Sequence, residues 1–446
     1  MYFKRMIDKP LNKWRLSSQR KPLLLRGARQ VGKSSSVRQL GQQFPHFVEV
    51  NFEEMPRLKK LFEGDLQPQG IIKALSVYLG EDIRPGETLL FLDEIQACPQ
   101  AISALRFFYE KIPELHLIAA GSLLEFALLS LPSYGVGRVR SLFMFPFSFD
   151  EFLMATGEER LLEAKHKAGF LHPLDDLLHD KLLDLLKVFM LTGGMPESVA
   201  EYATSGQLAD SQRVLNDIYM SLQADFTKYK DTVPPSRLRS VFESAVQQAG
   251  GKFVYAKAAP DTTHAQIKEA LDLLIMAGWI LPVTHTAANG IPPGAESDPK
   301  KRKMLLLDTG IFQRILGLDL AEFLFDTDTP PVHQGALAEQ FWGLEYIKYS
   351  DPWSPPALYY WHREARSSNA EVDYVVQKGG KIYPVEIKSS GSGSMQSLRQ
   401  FLKEKNTDFG YRFSTENFSE YMDVKCLPLY AVSNFLTLPI PPHQQQ

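Results

Sequence analysis

The chain has 446 residues, 44% of them hydrophobic and 23% charged, with a formal net charge of −3. This composition is ordinary for a globular protein, and the charge gives no global argument for nucleic-acid or membrane binding. The length predicts two to four domains at about 150 residues each. Cys98 and Cys426 form neither a metal-ligand spacing nor a disulfide framework, which favours a reducing, cytoplasmic location. With no apolar run of 18 residues and no secretory signal, we expect no membrane partner.

The amino-terminal stretch is locally basic. Residues 1–38 contain eleven Lys or Arg and one acid, Asp8. Such a surplus could steer an anionic ligand, and the alternative is a solvated face together with residues that serve a nucleotide. The sequence leaves both interpretations open.

The most informative motif follows directly. Pro22–Arg26 predicts a short buried strand, Lys33–Gln43 predicts a helix, and the turn between them fits G-x-x-x-x-G-K-[ST]. In such a phosphate-binding loop the glycines let backbone N–H groups face phosphate oxygens, the lysine reaches the β/γ-phosphates, and the hydroxyl ligates Mg²⁺. The predicted nucleotide-binding residues are Gly27, Ala28, Arg29, Gln30, Val31, Gly32, Lys33, Ser34 and Ser35. The alternative is an ordinary glycine-rich turn, and Arg29 either touches phosphate or lies in solvent.

Strand and helix signals alternate through the rest of the first 150 residues, which predicts a parallel sheet covered by helices. The predicted elements are strands at Phe47–Asn51, Thr88–Leu92 and Leu115–Ala120 and helices at Ile71–Leu79 and Ile102–Lys111. The apolar run at Thr88 ends in Asp93 and Glu94. We expect Asp93 to hold Mg²⁺ and Glu94 to orient an attacking water, roles that suit phosphoryl transfer.

The middle region, residues 151–328, is mostly helical in pattern. Glu151–Leu186 and Ala265–Ala277 have helical signals, and Trp279–Thr284 and Met304–Leu307 look like strands. Between those strands lies a predicted loop, Ala287–Lys303, that ends in the basic cluster Lys300, Lys301, Arg302 and Lys303. Helices followed by a hairpin with a basic loop suggest a winged helix, and a plain hairpin extension explains the residues equally well.

A linker is predicted at Thr327–Pro331, followed by a small α/β module at 329–446 and a frayed tail at Pro441–Gln446. The module begins with a helix at Gln334–Lys348 and strands at Ala357–Trp361, Glu371–Gln377 and Lys381–Lys388. A hairpin centred on Gly379 and Gly380 places Asp373 opposite Glu386, with Cβ atoms about 5 Å apart.

Lys388 lies on the same side as Glu386. Two carboxylates at this distance repel unless a cation such as Mg²⁺ lies between them. A surface salt-bridge cluster is the alternative.

The combination of motifs resembles the AAA+ ATPases, and most of all a bacterial and archaeal branch with an ATPase domain, a winged-helix region and a C-terminal nuclease-like domain. The motifs are Gly27–Ser34, Leu89–Gln96, Ala120–Ser122, Gly137-Arg138, Pro146–Phe152, Gly193–Glu197 and Leu307–Gly310. The resemblance implies that ATP and Mg²⁺ are the cofactors, that Ser122 senses the γ-phosphate and that Arg138 is an arginine finger. A finger acting in trans implies a homo-oligomer. A helix N-cap for Ser122 and a surface position for Arg138 remain the alternatives.

The Asp373, Glu386 and Lys388 arrangement resembles the PD-(D/E)xK nucleases, with Val-Asp in place of Pro-Asp. The resemblance implies that the acids hold Mg²⁺ and that the lysine activates water or stabilises charge. Glu339 matches the extra acid of that superfamily, and a solvated acid is its alternative. Nucleic acid, DNA before RNA, is the implied partner.

The predicted fold class is therefore α/β, with a P-loop parallel-sheet ATPase domain at 1–150, a helical and winged-helix region at 151–328 and a restriction-endonuclease-like domain at 329–446. The predicted function is a Mg²⁺-dependent AAA+ ATPase that couples nucleotide state to a nucleic-acid-binding or nuclease-like module. A signalling or scaffold switch with a protein partner and a non-cleaving C-terminal domain is the alternative. A small-molecule kinase is disfavoured, because Asp93 and Glu94 suit a water nucleophile.

Overall fold

The computed structural model describes residues 2–122, 124–131, 135, 137–229, 232–317, 334–364, 370–391 and 393–438. The predicted linker at 327–331 and the predicted tail at 441–446 lie outside these residues. The chain divides into two compact units, and each is described by itself. Unit 1 contains Met1–Pro146, Met276–Trp279 and Asp351–Pro355, and unit 2 contains Phe147–Ile275, Ile280–Ser350 and Pro356–Gln446.

Unit 1 is built on a five-stranded sheet in the order β2-β3-β4-β1-β5, and every neighbouring pair is parallel. Its strands are β1 Leu23–Arg26, β2 His46–Asn51, β3 Thr88–Asp93, β4 His116–Ala120 and β5 Arg140–Phe143. Every residue of β3 and β4 is buried, as expected for central strands covered on both faces. The predicted parallel sheet is confirmed.

Helices cover this sheet and carry its core. They are α1 Asp8–Leu16, α2 Lys33–Gly41, α3 Pro68–Leu79, α4 Pro99–Lys111 and α5 Leu124–Ser130. Proline opens α3 and α4, where its missing N–H costs nothing, and Gly80 ends α3 in the left-handed conformation. Buried Leu75, Leu105 and Phe108 pack into one apolar cluster with Leu90 and Leu92 of β3.

Unit 2 begins with helices. They are α6 Phe149–Ala155, α7 Glu159–Lys167, α8 Asp176–Thr192, α9 Pro196–Ser205, α10 Leu208–Asp225, α11 Pro235–Gln247, α12 His264–Met276 and α13 Thr309–Leu316. The start of α6 is a capping box, in which Ser148 and Glu151 each bond the other's backbone N–H. Among the described residues, no helix is long and apolar enough to cross a membrane.

Three of the motif stretches that carried the resemblance meet inside unit 2. The Phe147 N–H donates to the Gly194 carbonyl at 2.6 Å, and the Gly194 N–H donates to Asp308 Oδ2 at 2.6 Å. Asp308 Oδ1 caps α13 by accepting from the Ile311 N–H at 3.1 Å. A Cβ on Gly193 would lie 2.2 Å from Asp308 Oδ1, which explains the glycine. These motif residues therefore serve the packing of unit 2.

The rest of unit 2 is an eight-stranded mixed sheet in the order β12-β13-β11-β10-β9-β8-β6-β7. Its strands are β6 Ile280–Thr286, β7 Ser297–Leu306, β8 Leu358–His362, β9 Glu371–Lys378, β10 Lys381–Ile387, β11 Gly410–Ser414, β12 Ser419–Tyr421 and β13 Val424–Pro428. Its helices are α14 Gln334–Tyr349, α15 Gln396–Lys405 and α16 Val432–Thr437.

The hairpin of β6 and β7 differs from its prediction in two ways. Strand β7 begins at Ser297, so the basic cluster at 300–303 lies in a strand, and the predicted loop at Ala287–Lys303 is too long. β6 also pairs in parallel with β8, so the hairpin belongs to the same sheet as the C-terminal strands. The sequence missed this because strand pairing across 75 residues leaves no local signal. A winged helix and a boundary at 328/329 both stay predictions.

Candidate nucleotide site and carboxylate cluster

The backbone of the loop between β1 and α2 has positive φ values, which favour glycine. Gly27, Gln30 and Gly32 have φ values of 148°, 63° and 99°. A Cβ on Gly27 would lie 2.2 Å from the Met144 carbonyl oxygen, so only glycine fits there. Gln30 and Ser35 are exposed, whereas Ala28 and Val31 are buried. The N-terminus of α2 thus follows a tightly curled loop, the arrangement in which backbone N–H groups bind anions.

Lys33 is buried, with 8% of the residue exposed, and its ammonium lies over this loop. Nζ donates to the carbonyl oxygens of Gly27 at 3.0 Å and Ala28 at 2.7 Å. Burial lowers the pKa of Lys33 to about 8, and the carboxylates of Glu94 and Asp93 oppose that shift. The ammonium is therefore held by neutral acceptors at the point where the motif predicts phosphate.

The two predicted Mg²⁺ ligands of this site are in contact. Ser34 Oγ donates to Asp93 Oδ2 at 2.7 Å, and Asp93 Oδ1 accepts from the Glu94 N–H at 3.0 Å. Burial raises the pKa of Asp93. A hydroxyl and a carboxylate oxygen brought together are hard oxygen donors, the type that Mg²⁺ prefers, so these residues fit that ion.

Glu94 is partly buried and is held in place by the residue predicted to be a γ-phosphate sensor. Glu94 Oε2 accepts from the Ser122 backbone N–H at 3.3 Å and from Ser122 Oγ at 3.2 Å. It also accepts from Gln96 Nε2 at 2.6 Å. A Cβ on Gly121 would lie 2.0 Å from Gln96 Oε1, so glycine there leaves room for this amide. Gln96 ends the motif Leu89–Gln96, but its sequence position does not predict a role in the site.

Arg138 is half exposed, and its Nε donates to Glu110 Oε1 of α4 at 2.8 Å. Exposed ion pairs of this kind are worth at most about 1 kcal/mol, so the guanidinium can leave at little cost. Its role as an arginine finger stays a prediction. Arg29 is partly exposed and lies close enough to Lys33 to oppose its charge.

Arg5 is a functional candidate that the sequence did not identify. It is 6% exposed, and its guanidinium donates to the Val31 carbonyl of the loop at 3.1 Å and to the Phe145 carbonyl at 2.8 Å. It therefore braces the phosphate-loop backbone. In the sequence it is one of eleven basic residues, and nothing local distinguishes it from the others.

The C-terminal hairpin has the predicted register. Lys381 pairs with Lys378 and Val385 pairs with Tyr374, which is the last pair of the ladder. Continuing this register by one residue places Asp373 opposite Glu386. Gly379 and Gly380 have φ values of 55° and 76°, as a two-residue hairpin turn requires. Asp373 Oδ2 accepts from the Ile387 N–H at 2.8 Å, and Lys388 Nζ donates to Glu386 Oε1 at 2.7 Å.

Glu339, on α14, belongs to the same cluster, and Lys303 joins it from β7. Lys303 is 3% exposed, and its Nζ lies 2.5 Å from Glu371 Oε1, 3.4 Å from Glu339 Oε2 and 3.7 Å from Asp373 Oδ1. Its ammonium also lies 5.3 Å from the centre of the Tyr360 ring. The sequence predicts Lys303 at the end of a basic loop and gives no functional role to Glu371. The signal available was that Lys303 shares a strand face with apolar Leu305.

The surroundings of the cluster shift the pKa values of its carboxyl groups. Burial first and the neighbouring Asp373 second raise the pKa of Glu339 to about 8 and that of Glu386 to about 7. The three surrounding carboxylates raise the pKa of Lys303 well above its usual value against the cost of burial.

A divalent ion at this cluster has one point in its favour. Glu386 Oε2 is buried and has no hydrogen-bond partner within the described residues, and a hard cation would satisfy it. In the part of the chain that the structure describes, no three Asp, Glu, His or Cys side chains form a preassembled ligand set. The roles of Asp373, Glu386 and Glu339 as metal ligands stay predictions.

Comparison with known proteins divides the chain into three matched segments. Residues 19–153 match the family described as an AAA domain. Residues 183–322 and 334–432 match two domains of unknown function, DUF8612 and DUF4143. No curated protein matches the chain.

Three solved structures are similar to the chain at low identity. The Walker-type ATPase PABY2304 of Pyrococcus abyssi is 16% identical, with 71% of this chain and 96% of that one covered and a TM-score of 0.47. The ORC1 protein of Aeropyrum pernix, solved in complex with DNA, is 13% identical over 70% and 90%, with a TM-score of 0.30. A RuvB variant of Thermotoga maritima is 13% identical over 63% and 89%, with a TM-score of 0.31.

The family match covers the sheet and loop on which the nucleotide site is built. The glycine-rich turn follows β1, and the Asp93 carboxylate follows the buried strand β3, as a P-loop nucleotide site requires. The segment 19–153 therefore matches an AAA domain and has the strand-loop-helix arrangement of a P-loop ATPase.

Proposed function

We propose that the chain is a magnesium-dependent ATPase whose nucleotide state controls a C-terminal module that binds nucleic acid, DNA in preference to RNA. The observation that carries the ATPase part is the 2.7 Å contact of Ser34 Oγ with Asp93 Oδ2. It joins the two halves of the nucleotide signature, which lie 59 residues apart in the sequence.

Each residue has one task in the proposed hydrolysis. The loop N–H groups and the Lys33 ammonium bind the phosphates, and the ammonium leaves the carbonyls of Gly27 and Ala28 to do so. Ser34 and Asp93 would hold Mg²⁺, and the ion would supply positive charge to neutralise the phosphates. Glu94 orients and polarises the attacking water, and it must first release Ser122 and Gln96.

The hydrogen bonds of Glu94 support a specific role for Ser122. With its hydroxyl on Glu94, Ser122 keeps the carboxylate turned away from a water nucleophile. With its hydroxyl on a γ-phosphate, Ser122 frees that carboxylate. Sensing of the phosphate and release of Glu94 are then one exchange of hydrogen bonds. Arg138 acts on the nucleotide of a neighbouring copy in a homo-oligomer, once it leaves Glu110.

The C-terminal module is proposed to be nuclease-like, with Asp373 and Glu386 as the cation ligands and Lys388 beside the reacting phosphate. Support comes from the hairpin register and from the unpartnered Glu386 Oε2. Asp373→Asn is expected to abolish any Mg²⁺-dependent cleavage and to leave ATP hydrolysis intact.

A second candidate function is a nucleotide-dependent switch with a protein partner and a C-terminal domain that does not cut. One observation favours it, the contact of Lys303 with Glu339, Glu371 and Asp373, because an ammonium already neutralises part of the acidic cluster.

The deciding experiment measures phosphate release by the purified chain with and without single- and double-stranded DNA and RNA. Lys33→Ala serves as the inactive reference. Stimulation by DNA together with loss of turnover in Lys33→Ala supports the leading proposal. Turnover that survives Lys33→Ala contradicts the ATPase assignment, and turnover indifferent to every nucleic acid favours the switch.

A further inference from the structure

The environment of Lys303 differs from the one that its place in a basic stretch of the sequence predicts. A buried ammonium costs several kcal/mol to desolvate unless anions surround it. Here Glu371, Glu339 and Asp373 lie within 2.5 to 3.7 Å of Nζ, and they come from two different elements of the fold. The ammonium thus lies where three carboxylates converge.

The Lys303 ammonium neutralises only part of the negative charge of the cluster. Four carboxylates, of Glu339, Glu371, Asp373 and Glu386, face two ammonium groups, of Lys303 and Lys388. When all four carboxylates are ionised, two formal negative charges remain, which one divalent cation would balance. Glu386 Oε1 accepts from Lys388 Nζ at 2.7 Å, and Glu386 Oε2 is buried with no hydrogen-bond partner within the described residues.

We propose that Lys303 is a tethered cation that takes the place of a metal ion among Glu339, Glu371 and Asp373. The cluster then accepts one divalent ion, at Asp373 and Glu386, and Glu339 is not a metal ligand. The part of this inference that concerns the one bound divalent ion rests on the proposed cation site at Asp373 and Glu386. The substitution for a metal at Glu371 follows from the Lys303 contacts alone.

With Lys303 in place, the C-terminal module would fold without a metal ion and would bind one divalent ion. Without the Lys303 charge, the same carboxylates would bind two. Removing the lysine side-chain charge should expose a second ion site at Glu371 and Glu339. It should also make the stability of the folded chain depend on divalent ions, because the acids then need another counter-ion.

The test is a Mn²⁺ titration of the nucleotide-free full chain, followed by electron paramagnetic resonance of the free ion. Lys303→Met is compared with the parent chain and with Lys300→Met, a matched change at an exposed position of the same strand. Mn²⁺ bound at Ser34 and Asp93 contributes equally to all three. We expect Lys303→Met to bind one more ion per chain, with an affinity at that position on the order of tenfold or more above that of the parent. Equal binding by all three chains would overturn the proposal.

Two further variants cover the case in which Lys303→Met does not fold. With Lys303 present, Glu371→Gln should leave Mn²⁺ binding close to that of the parent, whereas Glu386→Gln should remove the ion at the cluster. Equal losses from the two changes would contradict a lysine-filled position at Glu371. Recovery of folded Lys303→Met on addition of Mn²⁺ would support it.

Failure of the proposed function gives a different pattern. If Glu386→Gln binds as much Mn²⁺ as the parent chain, the cation site at Asp373 and Glu386 is wrong. An ion gained by Lys303→Met would still support the role of Lys303.

Discussion

Two buried lysines, one in each compact unit, show opposite ways of keeping an ammonium inside a protein. Lys33 is bonded to two neutral carbonyl oxygens, of Gly27 and Ala28, and burial lowers its pKa to about 8. Lys303 lies among three carboxylates, which raise its pKa well above the usual value. The Lys33 ammonium therefore has no anion among its hydrogen-bond partners. The Lys303 ammonium already has anionic partners within the protein.

The difference separates a binding residue from a structural one. An ammonium held by neutral acceptors is stabilised when an anionic ligand binds beside it. The environment of Lys33 therefore favours phosphate binding. A cation held by ion pairs within the protein gains little from a ligand and costs much to remove. Burial alone, which the two lysines share, therefore does not tell a site residue from a packing residue.

The largest effect on stability is expected from removing the charge of the ion-paired lysine, Lys303. Lys303→Met leaves buried carboxylates uncompensated and should lower the free energy of unfolding by about 3–5 kcal/mol. The measurement is urea denaturation in EDTA. Lys300→Met, an exposed substitution on the same strand, should stay within about 0.5 kcal/mol of the parent. Equal stabilities of the two variants would remove Lys303 from the core of the cluster.

Lys33→Ala tests the other lysine. It removes the positive charge from the loop, and phosphate release should fall by about 10²–10³-fold, with little change in unfolding free energy. Lys73→Ala, on the exposed face of α3, is the matched control and should retain the parent rate. A Lys33→Ala chain with parental turnover would show that the loop is not the phosphate site.

Glu94→Gln separates binding of ATP from its hydrolysis. The amide keeps the size of the side chain and loses the charge that polarises water, so turnover should fall by about 10²-fold while ATP affinity stays near that of the parent. Isothermal titration together with phosphate release gives both quantities. Loss of affinity and turnover in equal measure would place Glu94 in binding.

The lowered pKa of Lys33 predicts a pH dependence. The ammonium form binds phosphate, so nucleotide binding should raise this pKa, and ATP affinity should be flat below pH 8. Above pH 8 the free chain loses the proton, and affinity should fall by up to about tenfold per pH unit until the pKa of the bound state is passed. Titrations at pH 7, 8 and 9 measure the slope. Lys33→Ala should lack it, and an equal slope in that variant would assign the titration to another group.

The smallest expected effect distinguishes two roles of Ser122. Ser122→Ala removes one hydrogen bond to Glu94, worth about 1 kcal/mol, and so changes turnover by roughly fivefold. If the hydroxyl only holds Glu94 away from water, the rate rises. If it also binds the γ-phosphate, the rate falls. Phosphate release at saturating ATP gives the sign, and an unchanged rate would contradict both roles.

The parts of the fold that the sequence predicted are those fixed by local spacing. The glycines and Lys33 lie within eight residues, Asp93 ends a continuous apolar run, and a two-residue turn sets the register of Asp373 and Glu386. The order of the strands and the pairing of β6 with β8 were not accessible in this way.

The missed residues act across long sequence separations. Lys303 meets Glu339 36 residues away, and Arg5 bonds carbonyls 26 and 140 residues away. Each side chain is unremarkable among its neighbours in the sequence, and only the tertiary fold makes it a partner. A lysine among basic residues gives no sign that acids from other elements will surround it.

The most direct test is a crystal structure of the chain with Mg²⁺ and a non-hydrolysable ATP analogue. We expect the Lys33 ammonium to leave the carbonyls of Gly27 and Ala28 for the β/γ-phosphates, while Lys303 remains on Glu371 and Asp373. Nucleotide bound away from residues 27–34, with Lys33 still on its two carbonyls, would contradict the account.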